Sequence, residues 1–309
     1  MIQALLTIAA SLVAGLIAYP FFIRLLRRLG VGQVIQAELG EEHQKKAGTP
    51  TGGGILFVSF AIIGGLLSLH MHRGALPAVV ALVLFGLLGF LDDMAKLHIG
   101  QIGLPARLKF PLQVVLAIPL AFLAHGPQHL LPASVGWLYW PVAILAIVGA
   151  SNGVNFSDGI DALCGGLTVI AFLGLVVLLP GGLPGETAVA MVLVGALLAF
   201  LYFNRHPARV FMGDAGSLGL GAALAVMALQ QGWVILLLLV GLVYVIEVVS
   251  VVLQVSYFKI SGGRRIFPIT PIHHSFQREG WSEPQIVVVF WAVGLIGAIG
   301  SALLARVVT

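Results

Sequence analysis

Charged residues are what this sequence has least of. Asp, Glu, Lys and Arg make up 9% of its 309 residues, against 59% hydrophobic. That balance lies far from the composition of soluble domains and excludes the water-soluble classes. Cysteine is nearly absent: Cys164 stands alone, which excludes an internal disulfide and a cysteine-based zinc site. There is no low-complexity tract, no internal repeat and no stretch that reads as a separate soluble domain. The first apolar run lacks a basic residue before it and carries Arg24, Arg27 and Arg28 after it, the reverse of a secretory signal, so it is expected to be retained.

What is there is apolar, with a mean hydropathy of +1.06. A helix needs about 20 apolar residues to cross a hydrocarbon layer roughly 30 Å thick. Ten candidate spans follow, near 2–23, 52–71, 75–91, 110–125, 137–152, 164–181, 186–204, 215–229, 233–258 and 285–307. The expected fold is all-α, a polytopic integral membrane protein of about ten transmembrane helices in one domain over 1–309. The ninth span is longer than crossing requires, so a bend or tilt is expected there. Pro127, Pro132, Trp137, Tyr139 and Trp140 read as a turn followed by an aromatic anchor at the membrane interface.

Lys and Arg set the orientation. With the 24–51 loop on the cytoplasmic side, the other cytoplasmic breaks are 92–109, 153–163, 205–214 and 259–284. Of 16 basic residues, only Arg73 and Arg306 fall outside those five breaks. The positive-inside rule predicts such an asymmetry, and ten spans then leave both termini external. The pI of about 9.5 therefore reflects loops beneath the membrane and gives no warrant for nucleic-acid binding.

All five aspartates, Asp92, Asp93, Asp158, Asp161 and Asp214, fall in or beside those same breaks. Membrane-embedded acids are expensive and seldom decorative. Asp92 and Asp93 are adjacent, and neighbouring carboxylates repel unless a cation or proton offsets them. Lys96 lies within one helical turn of both, either as their partner or as a substrate contact. Asn152, Asn155, Asp158 and Asp161 advance in steps of three, suited to hydroxyls, a base or a metal, while Gly153 and Gly159 make part of that stretch loop. Asp214 begins a span, where a carboxylate either complements the helix dipole or binds a ligand. Gly52, Gly53 and Gly54 either admit a phosphate to a helix start or permit close helix packing. His273 and His274 follow Pro268 and Pro271 in the last of these breaks, placed to bracket a phosphate from a loop. Glu247 is an intramembrane carboxylate with no partner apparent in the sequence.

Taken in order, the motifs resemble those of the polyprenyl-phosphate N-acetylhexosamine-1-phosphate transferases, and within them the phospho-N-acetylmuramoyl-pentapeptide transferase family. The likeness runs from about Lys46 to Trp291: KxGTPT at 46–51, LDDxxK at 91–96, NxVNxxDGxD at 152–161, NxHPAxVFMGDxGSLxLG at 204–221, and PIHH with GWxEPxIVxxFW at 271–291. The ordered set is specific where single motifs are weak. Two positions depart from the family pattern: Ser275 stands where a third histidine is usual, and Gly52 where a methionine is usual.

The resemblance implies a magnesium-dependent enzyme of the bacterial inner membrane, facing the cytoplasm. It would transfer phospho-N-acetylmuramoyl-pentapeptide from its UDP conjugate to undecaprenyl phosphate, forming lipid I and UMP. It assigns Asp92 and Asp93 as the catalytic pair, Asp214 as the Mg2+ ligand, and His273 and His274 to a catalytic loop. Lys46, Thr51, Asn155, Asp158, Asp161, Asn204 and Phe211 would line the nucleotide pocket, with Lys96 and Lys109 offsetting further charge. The partners implied are the nucleotide, the lipid phosphate, membrane lipid and a second copy as a homodimer. Two alternatives compete: an N-acetylglucosamine-1-phosphate transferase acting on the same lipid, and an ion-coupled transporter, to which Glu247 is suited.

Overall fold

In lipid, a long apolar run can satisfy its backbone N–H and C=O groups within one segment only as an α-helix. The computed structural model describes residues 2–32, 48–98, 103–126, 133–178 and 183–308, and among them helix is the sole extended element. The helices are α1 (Ile2–Arg28), α2 (Gly54–Leu69), α3 (Leu76–His98), α4 (Ala106–Leu123), α5 (Tyr139–Phe156) and α6 (Leu163–Leu173). They continue as α7 (Pro184–Asn204), α8 (Asp214–Gln230), α9 (Leu242–Ile260), the short α10 (Ile272–Arg278) and α11 (Glu283–Val308).

Seven of these regions are long and apolar enough to cross a membrane: those of α1, α3, α4, α5, α7, α9 and α11. The other three of the expected ten, Gly54–Leu69, Leu163–Val177 and Asp214–Gln230, are shorter apolar helices. At 1.5 Å per residue such helices reach roughly 25 Å. α6 widens into a π-helical turn over Gly174–Leu178. The long ninth segment does bend: a turn over Leu237–Val240 gives way at Gly241 to α9.

α8 is the centre of the bundle, and every residue from Asp214 through Leu229 is buried. Its run of Gly, Ala and Leu has no polar face to offer water, as expected of a helix enclosed on all sides. Small residues also let backbones approach closely. A Cβ on Gly221 would overlap the Ala150 carbonyl of α5, and a Cβ on Gly89 of α3 would overlap the Asp214 carbonyl. The periphery is different. Leu5, Leu6 and Ile17 of α1, Phe110, Val115 and Phe122 of α4, Val252 of α9, and Ile296 and Leu303 of α11 are exposed, an apolar girdle suited to lipid.

The helix ends segregate into two groups. At one end meet the last turns of α1, α3, α5, α7 and α9 and the first turns of α2, α4, α6, α8 and α11, with all five aspartates. The opposite end holds the Gln230 Nε2 to Gly74 carbonyl hydrogen bond at 3.2 Å. It also holds the aromatic cluster, in which Tyr139 donates to the Ala121 carbonyl at 2.9 Å and Trp137 is exposed.

Candidate active site

The 92–109 break is shorter than the sequence suggests, because helices run through both of its charged ends. Asp92, Asp93 and Lys96 lie on the last turns of α3, and Lys109 on the first turn of α4. Adjacent residues on a helix point to different faces, and these two aspartates take different partners.

Asp93 reaches α8. Its carboxylate accepts the backbone N–H of Asp214 and that of Ala215, each at 3.1 Å. The first N–H groups of a helix have no partner within it. No side chain of α8's own N-cap residue supplies one, since that residue is Gly213 at φ 79°. A carboxylate from a different helix therefore performs the capping, and in doing so fixes where Asp214 begins.

Asp92 faces the lysines. Its Oδ1 accepts the Leu104 N–H at 2.7 Å, and its Oδ2 lies 3.2 Å from Lys109 Nζ and 3.1 Å from Lys96 Nζ. The same two ammonium groups bracket Asp214, Lys96 at 2.7 Å from Oδ1 and Lys109 at 2.6 Å from Oδ2. Lys96 also lies 3.6 Å from Asp93. Three buried carboxylates from α3 and α8 thus share two lysines from α3 and α4.

The α5–α6 link adds Asp158, whose carboxyl lies near the Gly213 backbone N–H. Burial, then the charges of Asp214 and Asp93, push its carboxyl well above the usual carboxylate range. Asn155, on the last turn of α5, donates to Ser217 Oγ at 2.9 Å. Asp161 and Asn204 act on backbone as well. Asp161 accepts the Ala208 N–H at 3.1 Å and meets His206 Nδ1 at 2.9 Å. Asn204 accepts the Ala162 N–H and donates to the Val210 carbonyl, both at 2.9 Å. Glu283, absent from the sequence-derived site, accepts the Asp161 N–H at 3.2 Å. Ligand atoms of Asp161, His206 and Glu283 lie within 4.8 Å of one another. The H of NxHPA and the E of GWxEP were the signals for those two partners.

His273 and His274 sit on the first turn of α10 with ring centroids 4.0 Å apart. His274 Nδ1 lies 2.7 Å from Gln277 Oε1. His273 is fully buried, and its Nδ1 lies 3.0 Å from Oε1 of Glu247, the acid whose partner the sequence did not reveal. Ser275, in the place of a third histidine, is buried, and its hydroxyl donates to the Ile269 carbonyl. That bond ties the proline-bearing segment to α10.

Gly53 and Gly54 serve packing. The Gly53 and Gly54 N–H groups donate to the Phe211 and Met212 carbonyls at 2.8 and 2.9 Å, so neither is free for a phosphate. The Phe211 N–H returns to the Pro50 carbonyl at 2.8 Å, and the Thr51 N–H donates to Val31. Thr51 and Phe211 therefore lie on one backbone junction leading to Asp214. Lys46 lies outside the described residues.

Chemically, three carboxylates (Asp92, Asp93 and Asp214) face two lysines, with the raised carboxyl of Asp158 beside them. A divalent ion would offset the carboxylate charge that the lysines leave unbalanced, and an all-oxygen donor set is the kind that hard ions such as magnesium prefer. The residues present fit the implied metal.

The middle of the chain, residues 75–232, matches the family model described as glycosyl transferase family 4. The chain is also similar over nearly its full length to curated bacterial proteins. It is 45% identical to the phospho-N-acetylmuramoyl-pentapeptide-transferase of Symbiobacterium thermophilum over 304 residues, 93% of this chain and 91% of that protein. With the proteins of the same name from Listeria monocytogenes and Oceanobacillus iheyensis it shares 41% and 40% identity, covering 95% of both chains in each comparison.

Proposed function

We propose, for a chain that belongs to the phospho-N-acetylmuramoyl-pentapeptide transferase family, that the acid-lined end of its bundle transfers phospho-N-acetylmuramoyl-pentapeptide from the UDP conjugate to undecaprenyl phosphate. The products are lipid I and UMP. The observation that carries the reading is the sharing of Lys96 and Lys109 among Asp92, Asp93 and Asp214 at one end of a membrane bundle.

An oxygen of the lipid phosphate attacks the sugar-linked phosphorus of the nucleotide. A new P–O–P link forms, the bond from that phosphorus to the bridging oxygen breaks, and the electron pair leaves with UMP. Several negative charges meet, so catalysis is chiefly alignment and neutralisation. Lys96 and Lys109 supply positive charge and are already drawn together by the acids. Asp214 would hold the magnesium, with Asp92, Asp93 and Asp158 as neighbouring carboxylates. When bound, that ion withdraws charge from pyrophosphate oxygens.

Asp92 is assigned to receive any proton carried by the attacking phosphate, because one of its oxygens faces the lysines that draw phosphates in. Asp93 is assigned to orientation, because both its oxygens are engaged on the α8 backbone. Phosphate monoesters carry a second pKa near about 6, so at neutral pH positioning by Asp92 outweighs deprotonation. His273 and His274 flank the Asp158–Gly159 link and are assigned to the donor nucleotide.

The acid-lined end is assigned to the cytoplasmic side of the inner membrane, where the nucleotide resides, with the polyprenyl tail in lipid along the exposed apolar faces. The deciding experiment supplies purified protein in detergent with undecaprenyl phosphate and each UDP-sugar, with and without magnesium. Lipid I and UMP formed only with the muramoyl-pentapeptide nucleotide and magnesium support the reading. Turnover of UDP-N-acetylglucosamine alone replaces it with the related transferase.

A further inference from the structure

Glu247 is a carboxylate within a membrane helix, fully buried on α9. A buried carboxyl there needs a hydrogen-bond partner on each oxygen. Both of its oxygens are engaged, and both partners belong to α10. Oε2 accepts the Ile272 N–H at 2.9 Å, an orphan donor of the first turn of that helix, and Oε1 lies 3.0 Å from His273 Nδ1. A carboxylate that accepts on both oxygens takes the imidazole as a donor, which would place the ring proton on Nδ1.

That leaves Nε2. It is buried and has no hydrogen-bond partner, the sole side-chain nitrogen in that condition among the described residues. It lies beside Gly159: a Cβ on that residue would overlap Nε2 of His273 and stand 3.1 Å from Nε2 of His274. The residue before this glycine is Asp158, whose carboxyl feels Asp214 and Asp93. The unsatisfied ring atom therefore borders the segment that joins the histidines to the acid cluster. A buried polar atom without a partner is rare and calls for an explanation. The tautomer of a histidine is set by what its other nitrogen meets.

We infer that Glu247 is a positioning residue: it fixes the His273 ring through Nδ1, so that the bare Nε2 accepts a hydrogen bond from a hydroxyl or N–H of the donor nucleotide. The inference rests on the transferase reading of the site. A carboxylate is suited to the task because it offers acceptors on both sides. A glutamine there offers one acceptor and one donor, and cannot serve both the Ile272 N–H and the Nδ1–H.

The test is a double-mutant cycle with E247Q, H273Q and the two combined, each checked for folding by thermal melting in detergent. E247Q alone is expected to lose about 10–100-fold in kcat/KM, the usual cost of removing a group that orients another. The loss should appear in the KM for the nucleotide and leave the KM for the polyprenyl phosphate unchanged. In the H273Q background, E247Q should cost less than about twofold, because the ring it orients is gone. Losses that multiply, or that fall equally on both substrates, would overturn the inference.

An independent reading needs no turnover. In 15N-histidine-labelled wild-type protein, His273 should show a protonated Nδ1 and an unprotonated Nε2, and the opposite tautomer would also overturn it. A wild-type protein that turns over neither UDP-sugar would instead sink the transferase reading, while the tautomer remains measurable.

Discussion

The carboxylate of Asp93 accepts the backbone N–H of Asp214 at 3.1 Å, so one acid of α3 holds in place the acid that opens α8. The pair divides the work that two adjacent aspartates leave ambiguous. Asp93 engages backbone with both oxygens, while Asp92 turns toward the lysines.

This division predicts different phenotypes. Asp93→Ala removes a cap and should destabilise the fold by about 0.5–2 kcal/mol, the range for lost N-caps, with activity falling alongside. Asp92→Asn should lower kcat while the melting temperature changes little. Detergent-phase melting and product formation, measured on the same samples, check both. Equal loss of stability in the two variants contradicts the division.

Asp214→Ala should abolish turnover while the protein remains folded and extractable. Lys96 and Lys109 lose one shared acceptor but keep the other, Asp92. Magnesium titration of the variant is the measurement, and substantial activity at any concentration removes Asp214 from the proposed metal site.

The approach of α3 to α8 gives a packing prediction. Gly89→Ala places a methyl group against the Asp214 carbonyl. Overpacking of this kind costs about 1–3 kcal/mol, and it would displace the acid cluster directly. Gly300→Ala is the control, since a Cβ there meets nothing within 4 Å. Thermal melting and turnover should separate the two.

Asp158 carries a pH prediction. Burial, then Asp214 and Asp93, raise its pKa in the fold. A raised carboxyl favours the protonated form in the folded state, so its contribution to stability is complete below the ordinary carboxylate range. That contribution is lost as pH climbs through the raised value. In chelator, the melting temperature should therefore fall with rising pH. Asp158→Asn should flatten the slope, and magnesium should reduce it in the parent protein. An unchanged slope in the variant removes Asp158 as the cause.

Much of this was legible in the residues. The ten apolar runs each correspond to a helix, and the breaks between them mark the polar end that gathers Asp92, Asp158, Asp214 and His273. Less was legible where a contact joins distant segments. The partner of Glu247 lies 26 residues away on α10, and nothing in the α9 pattern points to it. Glu283 and His206 lay within motifs as letters, while their meeting with Asp161 is a matter of packing. The glycines at 53 and 54 left a phosphate loop open beside the packing reading, and only their N–H bonds to the Phe211 and Met212 carbonyls decide for packing.

Hydropathy and the placement of charge are local quantities. The sequence alone therefore determined that the chain is a helical membrane protein with its aspartates at helix ends. Which oxygen faces which donor depends on how α3, α4, α5, α8 and α9 pack, and only the tertiary structure decided it. Close approach of helices at small residues such as Gly89 and Gly221 brings groups over a hundred residues apart within hydrogen-bonding distance. At that range a neighbouring donor, rather than the identity of the acid, selects between a cap, a charge partner and a ligand.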